Sequence, residues 1–332
     1  MTRLLRRLFL PVSCLTIAAG FLYAPLPGFV EQPREPYGLA DNVVVEAPRA
    51  TPVNGDYLLT AVNLRRATPG DVVAGWLDDT TSYVPERAVL PPGTPERQYF
   101  DDQREVFADS AEVAAAVGLE GAGFDALVGE GVRVIAVLDD APADGVLEEG
   151  DVVVGVDGRE VGTAADLMEV VTATRPGRAR TLTVERDGRT LDLNLTPRQL
   201  TLDVPQIGVQ TETVALDVVL PVPVDIDGGR IGGPSAGLMI ALTVLDQVDD
   251  RDLAGGRIVA GTGALEVGGT VQPIGGLPLK VVSAAGAGAH VFLAPAAQAE
   301  EARAAVPAGS ALRVVGVGTF HEAVEALAGT AA

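Results

Sequence analysis

Two residues of this chain stand where chemistry is expected. The first is Lys280, the only lysine among 24 lysine and arginine residues. Most surface positions accept either cation. A position that needs an amine able to lose its proton does not, because guanidinium stays charged in proteins while a buried ammonium can become neutral. Lys280 lies among Leu279, Val281 and Val282. Apolar neighbours that partly desolvate an amine lower its pKa and fit it for general-base work. The second is Ser235, 45 residues earlier, at the end of the turn Gly232-Gly233-Pro234 and ahead of the apolar run Leu238 to Leu245. Glycines let another chain approach closely. The N–H groups of a first helical turn point outwards, and the helix dipole favours negative charge there. A serine so placed can attack a carbonyl while the backbone N–H groups of Gly233, Ser235 and Ala236 hold the oxyanion. The same placement also suits an ordinary helix-capping serine.

Composition removes competing chemistries. A phosphate-binding P-loop needs Gly-Lys-Ser/Thr, and Lys280 is followed by Val281, so any ATP-driven step would come from another protein. With two histidines and one cysteine, neither a His/Cys metal site nor a disulfide is expected, and no cofactor is implied. A formal charge of −21 disfavours nucleic acid as a partner. A base for Ser235 must therefore come from a short list. His290 begins a strand and His321 a terminal helix, and neither has a catalytic motif around it. A Ser-Lys pairing, a recognised variant of triad logic, accounts for both the lone lysine and the Gly-Pro-Ser turn.

The elements that must position these residues fall into an α/β (α+β) multidomain chain. Arg3, Arg6 and Arg7 precede 23 uncharged residues, Leu8 to Val30, enough to cross a bilayer with the body of the protein outside the cytoplasm. Residues 1–30 are thus expected to be a membrane anchor, in the manner of a single-pass transmembrane helix. The rival is a cleaved signal peptide ending near Ala18-Ala19-Gly20. Residues 31–115 form a mixed segment without legible chemistry. In it Tyr57 to Val62 reads as a strand, the four prolines between Pro85 and Pro95 as loop, and Asp109-Ser110 as the cap of a helix through Val117. Residues 116–198 bring a strand at Val132–Val137, a helix at 166–173 and a hairpin at Asp187-Gly188. Residues 199–330 alternate strand and helix: a strand over Val214–Val224, the Ser235 turn and its helix, a strand from Ile258, and a hairpin over Gly268–Gly276. A helix over Leu277–Gly286, a final strand at Ala289–Leu293 and a last helix at Phe320–Leu327 follow.

Two stretches carry a family likeness. The phrase PADGVLEEGDVVVGVDGREV, from Pro142 to Val161, resembles a PDZ domain of the bacterial protease-associated kind, a small sandwich that binds extended peptides at a sheet edge. GGPSAGLMIAL and GTGALEVGGTVQPIGGLPLKVVSAAGAGAHVFLAP resemble the proteolytic domain of Lon-type peptidases over roughly residues 205–328. The order of anchor, PDZ-like module and Lon-like domain is similar to membrane-associated Lon-like proteases of Gram-positive bacteria. The resemblance implies Ser235 as nucleophile, Lys280 as general base and Thr262 as a hydroxyl that orients the lysine. It further implies a homo-oligomeric ring, and without an unfoldase the expected substrates are unfolded or flexible polypeptides. The chain departs from the family in having no ATPase module, Gly232 where an acidic residue commonly precedes the serine, and no histidines in the strand before it. The expected activity is an extracytoplasmic, ATP-independent serine endopeptidase. The alternative is a PDZ-based membrane adaptor with an inactive Lon-like domain.

Overall fold

Tyr57, Leu58 and Leu59 are apolar in succession, the pattern of a strand covered on both faces, and the fold explains it: they lie inside a sheet completed by residues some 200 positions later. The computed structural model describes residues 23–77, 80–175, 177–200 and 204–329. The chain forms two compact units, one built from residues up to Ala122 together with those from Val222 onward, the other from Gly123–Pro221.

The N-terminal portion supplies β1 (Gly28–Pro33), β2 (Tyr37–Gly38), β3 (Val43–Val45), β4 (Asp56–Leu59), β5 (Val62–Arg66), α1 (Pro69–Gly75), β6 (Ser82–Pro85), α2 (Glu86–Val89) and α3 (Glu96–Gly121). The 123–221 unit carries β7 (Val132–Val137), β8 (Val152–Val156), α4 (Ala164–Thr172), β9 (Arg180–Arg186), β10 (Arg189–Leu195) and β11 (Val209–Thr213). The chain then continues through β12 (Val224–Ile226), α5 (Gly237–Val248), β13 (Ile258–Gly261), β14 (Ala264–Leu265), β15 (Val271–Gln272), α6 (Leu277–Gly286), β16 (Val291–Pro295), α7 (Ala299–Ala304), β17 (Arg313–Val317) and α8 (Phe320–Ala328).

In the discontinuous unit the main sheet runs β2-β4-β13-β16-β17. β13 pairs in parallel with β4 (Val259 opposite Tyr57) and with β16, which pairs in parallel with β17. A second, antiparallel sheet runs β5-β1-β6. Helix α5 is buried nearly all round, with Leu238, Met239, Ile240, Leu242 and Leu245 fully enclosed. It crosses α3 closely: a Cβ on Gly118 would lie 2.5 Å from the Ala241 carbonyl oxygen, so only glycine fits. Its end is fastened by polar side chains. Asp246 accepts from the Tyr57 hydroxyl at 2.9 Å and from the Leu253 and Ala254 amides at 2.6 and 3.0 Å. Gln247 accepts from Val45 N–H at 3.0 Å, tying β3 to the helix.

The 123–221 unit is one antiparallel sheet of order β10-β9-β8-β7-β11, with short two-stranded ribbons beside it, rather than two facing sheets. Val132, Val153, Leu167, Leu182 and Val184 fill its core. Asp187 and Gly188 both take positive φ (51° and 70°) in the tight turn between β9 and β10. A capping box of Thr163 and Asp166 starts α4.

Several expectations need correction. Val214–Val224 is not one strand: Ala215 turns at φ 47°, and Pro221 and Pro223 cannot donate to a ladder, so β11 ends at Thr213 and β12 begins at Val224. Asp109-Ser110 cap nothing. They lie inside α3, which starts after Pro95, and the Ser110 hydroxyl donates to the Pro234 carbonyl at 3.3 Å. The proline-rich loop contains the short helix α2. Ala289–Leu293 is not the final strand, since β17 follows it and extends the sheet. Residues 31–115 are not a separate segment by contact but part of the discontinuous unit. The expected anchor lies outside the described residues as far as 22, while its last residues, Gly28–Val30, belong to β1 with Phe29 and Val30 buried. Among the described residues no helix is long and apolar enough to cross a membrane.

Candidate active site

Lys280 sits one turn into α6, whose start is set by Gly276 in the left-handed conformation and a proline in the first turn. Leu277, Val281 and Ala284 on the same helix pack against Leu58, Ala260 and Phe292 of the sheet. Lys280 itself is only 3% exposed. Burial pulls its ammonium down from 10.5 to about 8, and the nearby charge of Glu31 opposes that fall. At that value about one amine in ten is neutral at pH 7, far more than for a lysine in water.

Ser235 stands in the turn before α5. Gly233, at φ +82°, provides a bend that an L side chain resists. The two segments converge: Lys280 Nζ donates to Ser235 Oγ at 2.9 Å and to Thr262 Oγ1 at 2.9 Å. Thr262, fully buried just after β13, donates its own hydroxyl proton to the Ser235 carbonyl at 3.1 Å, and Gly263 N–H donates to the same oxygen at 3.0 Å. A hydroxyl has one proton. Because that of Thr262 is directed to the Ser235 carbonyl, its lone pairs face Lys280 and hold one amine N–H. When the amine is neutral, this leaves its lone pair free to turn towards Ser235 Oγ. The arrangement can thus withdraw the serine proton and return it.

The three backbone donors expected to hold an oxyanion do not share one fate. Gly233 N–H is committed to the Gln103 carbonyl of α3 at 2.8 Å and is unavailable, so its expected role is corrected. Among the described residues, the amides of Ser235 and Ala236 donate to no protein acceptor. They lie at the entry to α5, where the dipole favours an anion. Neither histidine joins the site: His290 Nδ1 accepts from Ile258 N–H at 3.1 Å, and His321 is 81% exposed beside Glu325.

Glu31 is the group the sequence reading missed. It lines the same cavity as Ser235 and Lys280, which has a volume of about 1100 Å³. Desolvation raises its carboxyl pKa, opposed by the Lys280 charge. A signal existed: Glu31 follows Phe29 on the same face of a strand, an inward carboxylate. It is hidden when Leu8–Val30 is read as a single span.

Known proteins resemble this chain in two places. The PDZ domain family matches residues 107–196, and the Lon protease (S16) C-terminal proteolytic domain matches residues 217–327. A probable periplasmic serine endoprotease DegP-like of Ectopseudomonas mendocina (strain ymp) is 28% identical over 130 residues, which is 39% of this chain and 25% of that protein. The chain therefore spans about a quarter of the length of the curated relative it matches. Among solved structures, the PDZ domain of the SdrC-like protein from Listeria monocytogenes is 22% identical, covers 25% of this chain and 87% of its own, and has a TM-score of 0.24. That from Listeria innocua is 21% identical, covers 24% and 92%, and has a TM-score of 0.24. The chain is a mixed α/β protein in which one stretch matches a PDZ domain and another a Lon-type proteolytic domain, a pairing that suggests a serine protease with a PDZ module.

Proposed function

We propose that a chain combining a PDZ domain with a Lon-type proteolytic domain acts here as an ATP-independent serine endopeptidase working through a Ser235–Lys280 dyad. Neutral Lys280 takes the Ser235 proton, and Ser235 Oγ attacks the peptide carbonyl. The Ser235 and Ala236 amides receive the oxyanion. The protonated lysine then passes its proton to the leaving amine, and the acyl-enzyme is hydrolysed by a water that Lys280 deprotonates. The observation that carries this reading is the buried Lys280 amine within 2.9 Å of both Ser235 Oγ and Thr262 Oγ1.

Substrates are unfolded or flexible polypeptides, since these residues hold no phosphate-binding P-loop to drive unfolding. The PDZ module recruits them or gates their access. We further propose an extracytoplasmic, membrane-attached protein, its anchor or leader lying ahead of β1, that assembles as a homo-oligomeric ring. The apolar residues after Arg7 and the periplasmic relative support the location.

The test uses purified protein, an unfolded casein-like substrate, and the variants Ser235→Ala and Lys280→Arg. Cleavage by wild type and a loss of about a thousandfold or more in each variant are expected. No cleavage by wild type, or full activity in Lys280→Arg, overturns the reading. Peptide binding without turnover would identify an adaptor instead.

A further inference from the structure

Arginines gather at the catalytic cavity although the chain as a whole is strongly acidic, at −21. Arg34, Arg97, Arg104 and Arg230 line it, against two carboxylates, Glu31 and Asp101. Arg97 and Arg104 share Asp101, at 4.0 and 2.5 Å. Arg34 and Arg230 have no such partner: among the described residues neither forms an ion pair, and the Arg34 guanidinium donates only to the Arg230 carbonyl, at 3.3 Å. The backbone of each is tied close to the dyad. The Arg34 carbonyl accepts from the Ser283 hydroxyl, on the helix that carries Lys280. Arg230 precedes Ser235 by five residues, on the segment that Gly233 and Pro234 bind to α3.

We propose that Arg34 and Arg230 are specificity-determining residues, selecting substrates with an acidic side chain close to the scissile bond. This inference rests on the proteolytic reading of the same cavity. A guanidinium offers five donors in a planar fork matched to a carboxylate. Arg34 has used one of them, and neither lining carboxylate forms an ion pair with Arg34 or Arg230, Asp101 being held by Arg97 and Arg104. The Glu31 charge lies on the Lys280 side. An incoming carboxylate is therefore repelled by Glu31 and drawn to Arg34 and Arg230. An arginine-lined recess in an acidic surface also concentrates the local field. It draws acidic segments in while the rest of the molecule repels them.

The experiment uses quenched-fluorescence peptides identical except for Glu, Gln or Lys at each of the positions flanking the cleavage site. The readout is the ratio of kcat/KM values within one enzyme, so a general loss of activity in a variant cancels. Wild type should favour Glu over Gln at one position by about tenfold, the size of a charge-assisted hydrogen bond. The preference should shrink as salt is raised. In Arg34→Gln/Arg230→Gln the ratio should fall towards one, and in Arg34→Glu/Arg230→Glu it should favour Lys. Each single Gln variant should lower the ratio, and thermal melts confirm that the variants fold. A wild-type ratio near one, or a preference that survives the double Gln variant, overturns the inference. If wild type cleaves none of the peptides, the proteolytic reading fails instead. Fluorescence anisotropy of the same peptides on Ser235→Ala then decides the inference alone: a Glu preference that the arginine substitutions abolish supports it, and equal binding overturns it.

Discussion

The pH profile of peptide hydrolysis tests the proposed chemistry most directly. With Lys280 at about 8, roughly one amine in ten is neutral at pH 7 and about nine in ten at pH 9. The kcat/KM should therefore rise about tenfold over those two pH units and level off above them, provided the dyad limits the rate. A lysine at the ordinary 10.5 would be neutral in only about one molecule in 3000 at pH 7, and activity would still be climbing at pH 10. Glu31→Gln adds a sign that no general pH effect mimics. The Glu31 charge stabilises the ammonium and so holds the Lys280 pKa up against burial. Removing it should move the midpoint to lower pH. Glu31→Gln should then be roughly two- to tenfold more active than wild type at pH 7 and equal to it above pH 9. Initial rates with a short quenched peptide, below KM, across pH 6 to 10.5 give both curves. A wild-type profile without a plateau by pH 10, or a Glu31→Gln midpoint unmoved or shifted upward, would refute the assignment of Lys280 as the base.

Other consequences follow from the same contacts. Lys280→Met should stabilise the discontinuous unit. Between pH 8 and 10.5 the unfolded lysine binds a proton that the native one does not. The burial penalty, about 3 kcal/mol, is thus fully present below pH 8 and fades as pH rises to 10.5. Chemical denaturation should show a net gain of about 1–3 kcal/mol at pH 7, less the lost hydrogen bonds, and almost none at pH 10.5. Thr262→Val keeps the shape of the side chain but frees the amine to rotate. It should lower kcat about 10- to 100-fold with little change in KM, measured on the same peptide. Asp246→Ala strands the Tyr57 hydroxyl and two amides inside the protein. It should cost about 3–5 kcal/mol in urea unfolding, whereas Tyr57→Phe costs about 1 kcal/mol.

What the sequence revealed of this site, and what it concealed, divides along the chain. Ser235 and Lys280 were legible because turn chemistry and an isolated residue type are local signals. Helix α6 could be bounded for the same reason, with Gly275-Gly276 before it and Gly286 at its end. The hairpin at Asp187-Gly188 required positive φ at both residues, which those two types supply. Long-range partnerships left no such mark. Nothing within Tyr57-Leu58-Leu59 says that β13 will lie beside them, nor does the Gln103 sequence context show that its carbonyl will take the Gly233 amide. β17 was overlooked because Arg313 to Val317 is short, even though the Pro307–Ser310 turn, with Gly309 at φ 82°, announces it. Glu31 was overlooked because a carboxylate at the edge of an apolar run reads as the end of that run.

The discontinuity of the catalytic unit has a consequence for how the protein is made. Strand β4 leaves the ribosome early and cannot find β13 until some 200 further residues have been synthesised; the Thr60 hydroxyl bonded to the Gly261 carbonyl spans 201 positions. Contacts of that sequence separation are entropically slow to close. The 123–221 stretch, whose pairings are all internal to it, can fold in the meantime. Lys280 emerges later still and becomes desolvated only when α6 docks on the sheet that β4 helps to build. The contact between Lys280 Nζ and Ser235 Oγ is therefore assembled late in synthesis, and the activity proposed for it waits until most of the chain has been made.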